Sequence, residues 1–307
     1  MATAERGIWV YAVAQCGAGA TLPGFAGVAG AAVRLAAACP PDTLDPPSGG
    51  PRRVREGAPR RDYSLTAVVS DVDLAEFGPA ALERNLEDLA WLERVARAHH
   101  GVIDAAARLF PLLPMRLATV YTSEATMAAS LREHAAAFEA ALRRLRGRTE
   151  WGVKAYAVQP PRAPDRAAGP SRDSSAPAPD GGAGSGVAYL RRRRDALSAR
   201  RDSWRGAAES ARVAHAELGR HAADSRLHAP QSPQLSGRTE PMVLNAAYLL
   251  DDDRAGQFAE AVDALNAQHP QLRLELTGPW PPYSFAELDT GDAGDEAGTG
   301  WARQQGA

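Results

Sequence analysis

Few side chains in this sequence are spaced for chemistry, and the adjacent pair His99-His100 is the first to weigh. Paired imidazoles serve as general bases or metal ligands. Side by side on a helix, however, they point about 100° apart and do not readily hold one ion. No Cys, His or carboxylate nearby completes a ligand spacing. The pair is read as ending a helix just before Gly101, where imidazoles can satisfy the last carbonyls and the negative end of the dipole. His134 falls on an apolar stripe and is read as a hydrogen-bonded core histidine. Gly17-Ala18-Gly19 follows a strand-like run, but the third glycine of a dinucleotide loop is missing and Pro23-Gly24 interrupts the segment. Asp251–Asp253 lacks the further ligands of a calcium loop and is read as a helix cap. The sequence contains no P-loop, Gly-x-Ser-x-Gly, His-Glu-x-x-His or Cys-x-x-Cys pattern. The expectation is a protein that is not an enzyme, with no catalytic residue, cofactor or metal.

Recognition chemistry is better represented. Arg191, Arg192, Arg193 and Arg194 open a long helical stretch that also holds Arg201. From 187 to 228 there are ten arginines against five acidic residues. Such a segment could contact nucleic acid, yet Tyr189 and Trp204 are its only aromatics able to stack on bases. A solvated face, or a surface for an acidic partner, is the plainer reading. Near the C-terminus, Leu274-Glu275-Leu276 alternates as a half-buried strand and runs into Thr277-Gly278-Pro279-Trp280-Pro281-Pro282-Tyr283-Ser284-Phe285. Three prolines fix φ and remove backbone donors, so the strand must stop. A rigid corner with Trp280, Tyr283 and Phe285 either plugs a core or forms a docking surface.

The elements that position these residues follow from hydrophobic period. Ile8–Ala14 reads as a buried first strand, with a weaker strand at Val33–Ala37 and another strand at Leu65–Val69. Pro79–His100 reads as one helix with Leu82, Leu86, Leu89, Leu92 and Ala96 as its stripe. Trp91, nine residues beyond Leu82, is then half a turn away from that stripe and faces off the core. Met115–Tyr121 is a strand. A helix capped by Ser123 carries Met127, Leu131, His134, Phe138, Leu142 and Leu145 and ends at Gly147. Trp151–Val158 is a further strand. The expected class is α+β with two domains. Residues 1–158 form a ferredoxin-like α/β sandwich interrupted by a flexible insertion at 40–61, and 159–186 is a disordered linker. Residues 187–288 form an α+β domain with a long, coiled-coil-like helix at 187–227 and a β-α-β unit at 242–277. Residues 289–307 form a disordered acidic tail. In the long helix Leu190, Leu197, Trp204, Ala211 and Leu218 recur every seven residues, while Arg194, Arg201 and His215 occupy the companion seam, which is therefore weak.

Composition sets outer limits. The chain has 307 residues, 45% of them apolar, and a net charge of −2, so it is not an electrostatic nucleic-acid binder as a whole. Lys154 is the only lysine. Cys16 and Cys39 cannot build a disulfide framework, which suits a reduced, cytoplasmic setting. The apolar run 8–14 is too short to span a bilayer, and no membrane association is expected.

In order along the chain, four stretches resemble the gas vesicle protein F/L family. They are Trp9-Val10-Tyr11-Ala12-Val13, then Leu89–Ile103, then Pro111–Tyr121 with Trp151–Tyr156, and finally Met242–Phe285 with the aromatic-proline corner. The low-complexity insertions and the arginine-rich helix depart from that pattern. The resemblance implies an accessory protein of gas vesicle assembly, located with the vesicle in the cytoplasm. It would bind the small hydrophobic shell protein, and other accessory proteins are further partners. It would either release the shell protein or remain as a minor structural component. Candidate contact residues are Trp91, Arg94, His99, Arg116, Tyr121, Trp280, Tyr283 and Phe285, with the arginines of 191–201 as a basic partner surface. A nucleic-acid-binding regulator using the helix 191–226 is the alternative, which the charge balance disfavours.

Overall fold

The computed structural model describes residues 5–17, 19–37, 63–158, 182–232, 234 and 237–288. The expected insertion at 40–61, most of the linker and the acidic tail lie outside these. The chain divides into two compact units, Met1–Thr149 with Trp280–Ala307, and Glu150–Pro279. Each holds a sheet with helices, and the class is α+β as expected.

In the first unit, β1 (Arg6–Gly17), β2 (Arg34–Ala37), β3 (Tyr63–Asp73) and β4 (Leu112–Pro114) lie in the order β2-β3-β1-β4, and β5 (Val120–Tyr121) also pairs with β1. All these pairings are antiparallel. Every residue of β1 from Gly7 to Cys16 is buried, as befits a central strand. Its register against β3 slips between Val10 and Ala12. Tyr11 is the extra residue of this bulge, which resets the alternation, so that Trp9 before it, Tyr11 itself and Ala12, Ala14 and Cys16 after it join one core cluster.

The helical stretch expected at 79–100 is two helices, α2 (Pro79–Asn85) and α3 (Leu89–Ala107), preceded by the single turn α1 (Leu74–Phe77). Asp88 is the cause. Its carboxylate accepts from the backbone N–H of Ala90 and Trp91 and starts a new helix. The new phase buries Trp91, Val95, His99, Val102, Ile103 and Ala106 and leaves Leu89 79% exposed. Trp91 therefore faces the core and not away from it. The helix also runs on through Gly101, so His99 and His100 stand mid-helix and not at its end.

The strand expected at Met115–Tyr121 is likewise two short pieces, β4 and β5. Between them Ala118 takes φ 66° and Thr119 Oγ1 donates to the Arg116 carbonyl at 2.8 Å. The Ser123 cap forms as expected, reciprocated by Thr126. His134 divides that helix into α4 (Glu124–Glu133) and α5 (Ala135–Leu145). It sits half-buried at the junction, its Nδ1 3.0 Å from the Ser130 carbonyl oxygen. Met127, Leu131, Phe138, Leu142 and Leu145 are buried as the period requires.

The second unit has the strand order β7-β8-β6-β9, with β6 (Arg148–Ala157), β7 (Asp224–Leu227), β8 (Met242–Asp251) and β9 (Leu272–Trp280). The strand after α5 thus joins this sheet and not the first one. Helices α6 (Gly182–Gly219) and α7 (Ala255–Gln268) complete its core. The long helix is shorter at its C-terminal end than the expected 187–227. It stops at Gly219, and 224–227 pairs antiparallel with β8. Asp252–Arg254 forms a 3-10 turn and no side chain caps α7. Phe258, Val262 and Leu265 of α7 meet Tyr248 and Leu250 of β8 and Leu272 and Leu274 of β9 in one cluster. Asn266 fixes α7 to β9 by donating to the Leu274 carbonyl at 3.1 Å and accepting from its N–H at 2.7 Å. Among the described residues no helix is long and apolar enough to cross a membrane.

Candidate functional site

The first unit contains two aromatic clusters built on successive residues of α3. One is internal. Trp9 meets Phe77 edge-on at 5.6 Å between ring centres, Phe77 meets Trp91 at 5.6 Å, and the His99 ring stacks on Tyr11 at 5.4 Å. Its polar atoms are paired. Trp9 Nε1 donates to His99 Nδ1 at 3.0 Å, which makes Nε2 the protonated nitrogen, 3.1 Å from the Met115 carbonyl. Tyr11 Oη lies 2.8 Å from Ser70 Oγ and accepts from the Val28 N–H at 2.9 Å. That approach requires glycine at position 27, where a Cβ would fall 2.4 Å from the Tyr11 hydroxyl. Trp91 Nε1 donates to Glu76 Oε1 at 2.8 Å. Burial holds the His99 ring neutral, with its pKa lowered to about 4; the Met115 carbonyl opposes this and the neighbouring His100 adds to it. A fully paired neutral imidazole among aromatic rings is a packing element and offers no free base.

The other cluster is at the surface. Strand β9 does not stop at Thr277 as expected but runs on to Trp280 through Gly278, whose φ of 128° lies in a region side-chain-bearing residues rarely adopt. Beyond it, the Trp280 and Tyr283 rings both lie 5.7 Å from the His100 ring, and Tyr283 Oη is 2.9 Å from His100 Nδ1. Trp280 is 42% exposed and Tyr283 37%. Phe285, two residues on, is buried. Arg144 of α5 donates to the Phe285 carbonyl at 2.7 Å and to that of Glu287 at 3.2 Å. The corner is thus anchored at its ends, by an imidazole on one flank and a guanidinium and a buried ring on the other. On another face of α3 lies a shallow groove of about 370 Å³, lined by Gly24, Phe25, Ala26, Ala98, Gly101 and Val102.

The eight candidate contact residues fall into two sets. Trp91, His99, Tyr121 and Phe285 are buried. Tyr121 donates to Ser130 Oγ at 3.2 Å. Arg94, Arg116, Trp280 and Tyr283 are exposed, Arg94 lying 3.9 Å from Glu76. Trp91 and Arg94 both reach Glu76, and Phe285 is held by Arg144. Trp280 and Tyr283 are brought together by His100. Sequence reasoning missed this partner because a helix stopping at His100 gives that ring no fixed direction. The arginines Arg191, Arg193, Arg194 and Arg201 of α6 are exposed, and the side chain of Arg192 lies outside the described ones. Among the described residues no group of three or more His, Cys, Asp or Glu could hold a metal ion.

An α+β chain that carries an anchored, part-exposed aromatic corner has the features of a protein-binding component. The chain belongs to the gas vesicle synthesis protein GvpL/GvpF family, whose model matches residues 7–287, and its role lies in gas vesicle assembly. Gas vesicle protein L of a Streptomyces species (strain CB03234) is 42% identical over 238 residues, which cover 78% of this chain and 84% of that protein. Two solved structures share the fold, both with a TM-score of 0.52 and 92% of this chain covered. They are GvpF from Anabaena sp. PCC7120, 19% identical and 97% covered, and GvpF from Microcystis aeruginosa, 17% identical and 99% covered.

Proposed function

We propose that this chain acts in vesicle assembly by binding the hydrophobic shell protein and keeping it in solution until it joins the growing shell. A shell subunit must be apolar on its gas-facing side, and in water such a patch promotes aggregation. A partner that covers it needs a rigid apolar surface that stays open when the partner is alone. The anchored corner of Trp280 and Tyr283 on His100 is the observation that carries this reading. Aromatic rings held in place lose little conformational freedom on binding, and such anchors dominate interface energetics. Other gas vesicle accessory proteins are further partners in this scheme.

Co-expression of the tagged chain with the shell protein tests the proposal. Capture of the shell protein, together with a larger soluble fraction of it, is the expected result. No capture and no gain in solubility would remove direct shell binding and leave only the family's general role in assembly. Finished vesicles washed free of loosely held protein should lack the chain if it only escorts the subunit and contain it if it stays in the shell.

A further inference from the structure

Helix α6 is one continuous helix whose two halves differ in burial and charge. Its C-terminal part buries Ala207, Ala211, Ala214 and Leu218 against the second sheet and α7. These alanines keep the helix close to its neighbours. The stripe that contains Ala211 and Leu218 continues in the N-terminal direction at the same seven-residue step, through Trp204, Leu197 and Leu190. There it is uncovered, with Trp204 52% exposed, Leu197 53% and Leu190 63%. The charge changes at the same place. Residues 182–205 hold seven arginines and two aspartates, whereas 206–219 hold one arginine and two glutamates.

We infer that the exposed half of α6 is a docking seam for an acidic amphipathic helix of a partner protein. Three observations select this occupant. The seam is continuous with one that the chain already covers internally, so its geometry suits helix packing. A seven-residue step lets the apolar row follow a partner helix as both supercoil. The companion row that the fold buries is Ala207 and Ala214, which continues to positions Arg200 and Arg193, and not the expected row of Arg194, Arg201 and His215. Arg194 and Arg201, four residues after Leu190 and Leu197, therefore flank the apolar row, where charge chooses the partner. Both are exposed. A second copy would bring the same arginines against each other and is disfavoured by their repulsion. A lipid surface calls for a broad apolar face, which a row one residue wide does not offer. This seam belongs to the second unit, and the inference does not depend on shell binding by the aromatic corner.

The test uses the full chain and a synthetic heptad peptide with Leu at its core positions and Glu at its flanking ones. Titration of the labelled peptide should give saturable binding. The Arg194→Glu/Arg201→Glu variant should weaken it about tenfold or more and should instead bind the matching peptide with Lys in place of Glu. Leu197→Ser should weaken both. Unchanged melting curves would keep these losses apart from unfolding, since the altered side chains are exposed. Equal binding of the Glu and Lys peptides, or none of either, would overturn the inference. So would binding of a single-stranded oligonucleotide with steep salt dependence in place of the peptide, or self-association of the chain that Leu197→Ser abolishes.

Discussion

His99 and His100 are neighbours on one helix, yet they organise two aromatic clusters with opposite exposure. His99 is closed in by Trp9 and Tyr11 and has both ring nitrogens hydrogen-bonded inside the core. His100 meets Trp280 and Tyr283 at the surface, with much of both rings open to solvent. The step of about 100° between adjacent helical residues is enough to separate them. The same residue types are therefore packed in the core on one face of α3 and stand part-exposed at the surface on the other. Composition alone does not tell the two apart, whereas helix phase does.

If that division is right, substitutions should separate in the same way. Trp91→Ala should cost the most stability, about 3–5 kcal/mol, because it empties a packed site and leaves Glu76 without its indole partner. Denaturant unfolding of the variant measures this, and a folded variant of near wild-type stability would break the comparison on its buried side. Acid should act through His99 next. Its unfolded ring takes up a proton below about 6.5, while the folded ring stays neutral until about 4. Stability is therefore lost as pH falls through that window, by roughly 3 kcal/mol from this group once the lower limit is reached. NMR titration should show one imidazole still neutral near pH 5. Ala118→Gly should raise stability by about 1 kcal/mol, since Ala118 has a positive φ that an L side chain resists. Trp280→Ala should change stability least, by about 1 kcal/mol or less, because the ring is already part-exposed.

The sequence was most readable where the hydrophobic period was unbroken. Ile8–Ala14, the stripe Met127 to Leu145 and the β-α-β run through Phe258, Val262 and Leu265 stand where their alternation or helical step puts them. Trp91 was misplaced because the stripe of Leu82 and Leu86 was carried across Asp88. That residue is a strong N-cap type, and the row Trp91, Val95, His99, Val102 was available as the signal of a new phase. The membership of Arg148–Ala157 in the second sheet was not readable, because strand pairing is nonlocal and its alternation suits either sheet. In α6 the large residues of the heptad row drew the reading to one uniform helix. The face that the fold actually buries is made by Ala207, Ala211 and Ala214, whose small side chains give little periodic signal. The aromatic-proline corner was legible as a rigid motif. Its division into an inward Phe285 and outward Trp280 and Tyr283 depends on His100 and Arg144, which lie more than a hundred residues earlier.

The most direct test of the division is capture of co-expressed shell protein by the Trp280→Ala/Tyr283→Ala variant, with its melting curve recorded beside that of the wild type. A variant that melts like the wild type and captures little shell protein is the result expected of a recognition surface. Wild-type capture by the same folded variant would contradict the assignment of the His100 cluster to binding.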